Sequence, residues 1–287
     1  MGNQPHLGII GGSGLYNFSA IQEIKTIEME TPFGKPSSPI ISGLIAGKKV
    51  SFLARHGIGH FITPSEVNYR ANIYALKALG VTEIVSVSAC GSLREDFSPS
   101  DIVIPNQIFD FTHKRERSFF GEGLAVHIGV ADPFCNRLST SLSKAVKDVG
   151  GKVHIGGTYI TIEGPRFSTK AESNLYRSWG ISIIGMTASP EAFLAREAEI
   201  CYATMAHVTD YDVWHTSQET VSVDLVVRTL HQNTLLAQNA LLRLIEGLEA
   251  DPDCPCHHSL KDAIITDRER ISPESRHKLD ILLKKYL

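Results

Sequence analysis

The sequence lacks any excess of basic charge. Its 28 Lys and Arg stand against 31 Asp and Glu, a net charge of −3. That balance argues against a nucleic-acid partner, and no block of like charge marks a solvated tail. Long apolar runs are also missing. The amino-terminal stretch "MGNQPHLGIIGGSGLY" has no basic segment, and its apolar part is too short for a signal peptide or a membrane span. Met1-Gly2-Asn3 is not expected to be myristoylated, because position 6 is His6 rather than Ser or Thr. Cysteines number only five, and an odd count in a chain of 287 residues argues against a disulfide scaffold. A cytoplasmic location is expected. Neither an internal repeat nor a low-complexity segment is visible. With 43% hydrophobic and 21% charged residues, the chain is an ordinary soluble globular one.

Metal chemistry is not expected either. "CPCHHS" (Cys254 to Ser259) looks ligand-rich, but its spacing is not that of a common zinc motif, and no second Cys/His cluster completes four ligands.

What the chain does have is strand-like and helix-like stretches in alternation. "PIISGLIAGKKVSFLAR" predicts a hairpin turning at Ala46-Gly47-Lys48. "NYRANIYALKAL" predicts a helix stopping at Gly80, and "STKAESNLYRSWG" another stopping at Gly180. "TEIVSVSA", "DIVIPNQIF" and "ICYATMAHV" read as buried strands. The longest helix is expected from about Thr220 to Gly247, and a last one from about Ser272 to Leu287. This succession predicts an α/β fold in a single domain: a mixed, largely parallel sheet flanked by helices. Residues 1–250 form that domain in this reading, and 251–287 a linker and a helix packing on it. Sites in such sheets lie at the carboxyl ends of strands.

Chemistry-bearing residues gather at those predicted strand ends. "GIIGGSGLY" places Ser13 among glycines whose backbone amides can converge on an anion. It is a poor dinucleotide fingerprint, because Asn17 stands where the third glycine belongs. "LARHGIGH" offers the Arg55 guanidinium, whose planar fork suits phosphate, with the His56 imidazole as a second donor. "SVSACGSLR" ends in a small, donor-rich corner at Ser88 and Ala89. A Walker lysine is absent, so this set points to a simple oxyanion rather than a nucleoside triphosphate. In "TIEGPRFSTKAES" and "GMTASPE", Phe167 can stack on a planar ring, and Glu163 and Met186 can face a sugar. Finally, "VTDYDVW" sets Asp210 and Asp212 at the mouth of a buried strand. Acidic residues are common in turns, but two close carboxylates in a dry pocket also raise one pKa, which suits a general acid.

These motifs, "GIIGGSGLY", "TPFGKPS", "ARHG", "SACGSLRE", "TIEGPRFS", "GMTASPE" and "VTDYDVW", occur in this order. The chain resembles the trimeric purine nucleoside phosphorylase family over about three quarters of its length, with a weaker match after Gly247. The resemblance implies cleavage of a purine nucleoside by inorganic phosphate, a co-substrate, with no cofactor. The expected reaction takes S-methyl-5′-thioadenosine to adenine and 5-methylthioribose 1-phosphate, as a transferase of pentosyl groups. The alternative is a phosphorylase for methylthioinosine or for inosine and guanosine. By resemblance, Ser13, Arg55, His56, Ser88, Ala89 and Thr187 bind phosphate. Phe167, Ser168, Asp210 and Asp212 face the base, with Asp210 the acid and Asp212 its support. Met186 lies under the ribose, and Val223, Val226 and Val227 line a methylthio pocket. His127 closes that pocket from a neighbouring subunit of a homotrimer. Relatives that prefer 6-oxopurines carry Asn at the Asp210 position and Glu at the Ser168 position; this chain has neither. A non-catalytic nucleoside-binding protein and a dinucleotide-dependent oxidoreductase are the rival readings. Neither a nucleic acid nor a membrane is an expected partner.

Overall fold

The structure, a computed structural model, describes residues 4–12, 18, 20–216 and 221–287, the side chains of residues 230–232 excepted. Its strands are β1 (His6–Gly11), β2 (Gln22–Ile27), β3 (Ile40–Ile45), β4 (Lys48–Ala54), β5 (Glu83–Ser92), β6 (Ile102–Ile104), β7 (Gln107–Phe111), β8 (Val153–Ile155), β9 (Thr158–Ile162), β10 (Ile183–Gly185) and β11 (Cys201–Asp210). Helices are α1 (Tyr69–Ala78), α2 (Asn136–Asp148), α3 (Lys170–Ser178), α4 (Ala188–Glu197), α5 (Val223–Gly247), α6 (Pro273–Lys278) and α7 (Asp280–Leu283).

The sheet is mixed. Strand β1 pairs in parallel with β4 on one side and β5 on the other, and β11 runs parallel to β5 along nearly its whole length. Antiparallel pairs are β2–β3, β3–β4, β5–β10 and β6–β11. Parallel pairing also joins β9 to β10 and β7, and β6 to β8. Strands β1 and β11 are buried at every position. That burial on both faces is why "ICYATMAHV" shows no polar alternation.

One apolar layer lies between the sheet and helices α2 and α5, with Leu138, Leu142, Leu241 and Leu244 against Val85, Ala203 and Met205. The opposite layer packs α1 and α4 on the sheet, and Ile271, Leu279, Leu282 and Leu283 of the carboxyl-terminal segment join it. Local signals set the helix limits. Asn68 caps α1 by accepting from the Ala71 amide, and Thr169 with Glu172 forms a reciprocal capping box on α3. Gly80 and Gly180 stand just past the helix ends with φ of 82° and 77°, a region that glycine enters at least cost.

Three expectations need correction. "DIVIPNQIF" is not one strand. It breaks at Pro105-Asn106 into β6 and β7, which pair with different partners, and proline, lacking an N–H, cannot continue a ladder. The long helix starts at Val223, capped by the Ser222 hydroxyl, which accepts from the Leu225 amide; Thr220 lies outside the described residues. The last helix is two, α6 and α7, meeting at Leu279, whose φ of −112° interrupts the helical run.

Candidate functional site

The parallel strands β1, β4, β5 and β11 end together, and a cavity of about 650 Å³ opens there. Its size is that of an ordinary small-molecule site. Its lining includes Gly12, Arg55, His56, Ser88, Ala89, Phe167, Ser168, Met186, Thr187, Asp210 and Asp212. Val223, Val226 and Val227 also line it, with Val223 69% and Val227 46% exposed, so these two form a rim rather than a wall. Ser13 lies outside the described residues. His127 is exposed on a loop, its amide donating to the Ala263 carbonyl, and does not line this cavity.

Asp210 owes its direction to a break in the ladder. The register of β11 against β5 shifts between Val208 and Asp210, which sets Asp210 opposite Gly91. A bulge of this kind re-aims a side chain at a strand end. Asp210 Oδ2 accepts from the Thr209 hydroxyl at 2.6 Å, and Oδ1 from the Asp212 amide at 2.7 Å. Its pKa is pushed up to about 6. Burial is the main cause; the Thr209 and Asp212 hydrogen bonds pull it down, and the Asp212 charge raises it slightly. Of the two expected causes, the dry pocket therefore dominates and repulsion between the carboxylates is the minor one. Burial also raises the pKa of Asp212, which sits at φ 53°. Asp212 Oδ2, Ser88 Oγ and Ser168 Oγ are buried with no hydrogen-bond partner among the described residues. Buried polar atoms that face a cavity without partners suit a ligand that supplies them.

Strand geometry makes Gly91 a spacer. A β-carbon there would lie 3.0 Å from Asp210 Oδ1 and 3.2 Å from Asp212 Cβ. Gly91→Ala, whose β-carbon would also meet Ile184 Cγ2 at 3.1 Å, is expected to displace the acid, lower kcat/KM about 10-fold and cost about 1–3 kcal/mol of stability. Steady-state kinetics beside a melting curve checks this; unchanged kcat/KM would show that the carboxyl position is not critical.

Arg55 lines the cavity with its fork already occupied. It is 2% exposed, and Nε donates to Glu191 Oε2 at 2.8 Å and Nη2 to Glu191 Oε1 at 3.0 Å. Nη2 also donates to Ser86 Oγ, and Nη1 to the Val87 carbonyl at 3.3 Å. Burial acts to lower the Arg55 pKa, and Glu191 more than reverses this. The guanidinium fork is thus occupied, and Nη1, whose one bond among the described residues is to the Val87 carbonyl, keeps an N–H for a ligand. His56 differs from expectation. Burial first, then the Arg55 charge, push its pKa down to about 4. With Nδ1 2.9 Å from the Ile62 carbonyl, the neutral ring carries its proton there and turns Nε2 out as an acceptor, not a donor.

Glu163, expected to be able to face a sugar, does not line the cavity. Its carboxylate accepts from Arg115 Nε, the Ser65 hydroxyl and the His113 and Lys114 amides. Burial opposes ionisation, but these bonds prevail and hold its pKa at about 2. Arg115 in turn donates to the carbonyls of Met186, Ser189 and Glu163, tying together the loops that carry Phe167 and Met186. Sequence reasoning missed Glu191, Arg115, His207 and Asn233. His207 lines the cavity fully buried, and burial lowers its pKa to about 4. Its placement at the end of the run "ICYATMAHV" was the only available signal.

A profile of the phosphorylase superfamily matches residues 6–246. The chain belongs to this superfamily. It is 50% identical to the S-methyl-5′-thioadenosine phosphorylase of Geobacter sulfurreducens, over 98% of this chain and 99% of that one. It is 49% identical to the enzyme of the same name from Hyperthermus butylicus, over 90% and 95% of the two chains. Among solved structures, a methylthioadenosine phosphorylase from an antarctic soil metagenomic library superposes with a TM-score of 0.93 at 46% identity, covering 98% of this chain and 99% of that chain. The methylthioadenosine phosphorylase of Schistosoma mansoni in complex with adenine gives a TM-score of 0.86 at 36% identity, covering 93% and 100%. The superfamily match spans all of the strand ends that form the cavity. Among the described residues, no helix is long and apolar enough to cross a membrane.

Proposed function

We propose that the chain catalyses the phosphorolysis of S-methyl-5′-thioadenosine to adenine and 5-methylthioribose 1-phosphate. The observation that carries this reading is Asp210, a buried carboxyl with a pKa raised to about 6 that lines a nucleoside-sized cavity at the strand ends. The names of the relatives support the choice of nucleoside.

Phosphate sits at the corner formed by Gly12, Arg55, His56, Ser88, Ala89 and Thr187, and Ser13, outside the described residues, binds it in this proposal by resemblance alone. Its protonated oxygen donates to His56 Nε2, and Ser88 and Arg55 Nη1 donate to the others. Adenine stacks on Phe167 beside Ser168. The protonated carboxyl of Asp210 donates to N7, and Asp212 Oδ2 accepts from the 6-amino group. A phosphate oxygen forms its bond to C1′ as the bond from C1′ to N9 breaks. The electron pair passes into the purine, and the Asp210 proton neutralises it at N7. Phosphate charge stabilises the positive character at C1′, so no protein nucleophile is needed. Met186 lies under the ribose, and Val223, Val226 and Val227 take the methylthio group. In this proposal the apolar rim is covered in a homotrimer, where His127 completes the neighbouring site. The work is cytoplasmic salvage of the purine and of the methylthio group, and five free cysteines suit a reducing compartment.

The test is release of adenine from methylthioadenosine with and without phosphate, alongside methylthioinosine, inosine and guanosine. Phosphate-dependent release, with adenine nucleosides preferred, is expected. A site that pairs one group and leaves its opposite unpaired can discriminate by roughly 10⁴-fold. Release without phosphate, or a preference for 6-oxopurines, would overturn the reading.

A further inference from the structure

Four of the five cysteines meet at the far end of β11, away from the cavity. Cys135 caps α2, Cys201 opens β11, and Cys254 and Cys256 flank Pro255 on the turn at Pro255–His258. Their exposures are 3%, 0%, 5% and 4%. All four sulfurs lie within 4.8 Å of one another, with Cys201 Sγ 3.4 Å and Cys135 Sγ 3.8 Å from Cys254 Sγ. We infer that Cys135, Cys201, Cys254 and Cys256 form a closed tetrahedral structural site for one zinc ion.

Geometry supplies the argument. Zinc–thiolate bonds are about 2.3 Å long, so the sulfurs of a tetrahedral site stand about 3.8 Å apart. The Cys201–Cys254 and Cys135–Cys254 separations of 3.4 and 3.8 Å lie near that edge, and no pair exceeds 4.8 Å; four soft thiolates gathered in this way select zinc over hard cations. The backbone is fixed around the site: the Cys135 amide donates to the Tyr202 carbonyl at 2.8 Å, the Cys201 amide to the Thr82 carbonyl at 3.0 Å, and the His257 amide to the Cys254 carbonyl at 2.9 Å. Arg137 Nη2 approaches Cys201 Sγ at 3.8 Å and offsets part of the negative charge that four thiolates gain when the metal displaces their protons. Four protein ligands leave no open position, so the metal does not take part in chemistry. It staples the segment after α5 onto the start of β11, opposite the end that carries Asp210. The Cys-x-Cys spacing was a weak sequence signal because the other two ligands are remote in the chain.

The experiment measures metal in the full-length protein, grown with zinc and purified without chelator. Elemental analysis is expected to give about one zinc per chain. Cobalt exchanged into the site should give the intense visible bands of tetrahedral tetrathiolate coordination. The double variant Cys254→Ser/Cys256→Ser should lose the metal and melt about 10 °C lower, with kcat/KM nearly unchanged at low temperature. Should that variant fail to fold, metal content and the cobalt spectrum of the unaltered chain decide. Three results overturn the inference: zinc below about 0.1 per chain in the unaltered protein, iron in its place, or an intact mass lowered by the hydrogens lost to disulfides.

Discussion

Asp210→Asn is expected to lower kcat/KM for methylthioadenosine by about 10²–10⁴-fold, the usual loss when a general acid is removed. The shape is retained. The amide oxygen can accept from the Asp212 amide, and the amide nitrogen can donate to Thr209, whose hydroxyl also reaches the Cys90 carbonyl at 3.2 Å. What is lost is the proton delivered to N7. Activity on methylthioinosine should fall less, because the new amide can donate to O6. The pH profile carries the same signature. Asp210 keeps its proton up to about pH 6. The ratio of wild-type to variant kcat/KM should therefore fall about tenfold per pH unit above that value.

Stability should move the other way. The folded pKa of Asp210 is raised from 3.8 to about 6, so its favourable contribution is complete below pH 4 and is lost as pH rises through 6. Above pH 6 the wild type bears a buried charge at a cost of roughly 3 kcal/mol, and the amide does not. The variant should melt no lower than the wild type at pH 8. A lower melting temperature, with both nucleosides losing activity alike, would make Asp210 a structural strand end and remove it from the chemistry.

Arg55→Ala is expected to destabilise the fold by about 3–5 kcal/mol, because it strands a buried carboxylate. Glu191 is fully buried, and its remaining partner among the described residues is the Tyr202 hydroxyl, which donates to Oε1 at 2.8 Å. The melting temperature should fall by about 10 °C. Phosphate affinity should also fall, but this substitution alone cannot separate the two effects. Arg55→Met combined with Glu191→Gln removes both charges and keeps most of the volume. It should recover most of the stability while KM for phosphate stays raised. A double variant as unstable as Arg55→Ala would mean that the pair supports the fold through its shape and hydrogen bonds rather than by charge balance. A normal KM for phosphate in the double variant would take Arg55 out of the phosphate corner.

The sequence by itself determined what is local. Apolar periodicity and glycine stops marked α1 and α3, the Ala46-Gly47 turn marked the β3–β4 hairpin, and the unalternating run before Asp210 marked a strand buried on both faces. These signals act over a few residues, so a linear reading reaches them. The order of short motifs at strand ends pointed to the family, because each strand end carries its own short stretch of sequence. Tertiary structure alone decided how the side chains are used. Arg55 and Glu191 are 136 positions apart, and only the fold turns the guanidinium fork toward a carboxylate rather than toward phosphate. The bulge before Asp210 exists only relative to β5, and burial of that carboxyl, rather than its visible neighbour Asp212, sets its pKa. Cys135 and Cys201 reach Cys254 across 119 and 53 positions. Hydrogen bonds, ion pairs and desolvation depend on distance in space, and a chain closed into a sheet brings together residues whose separation in sequence carries no trace of that distance.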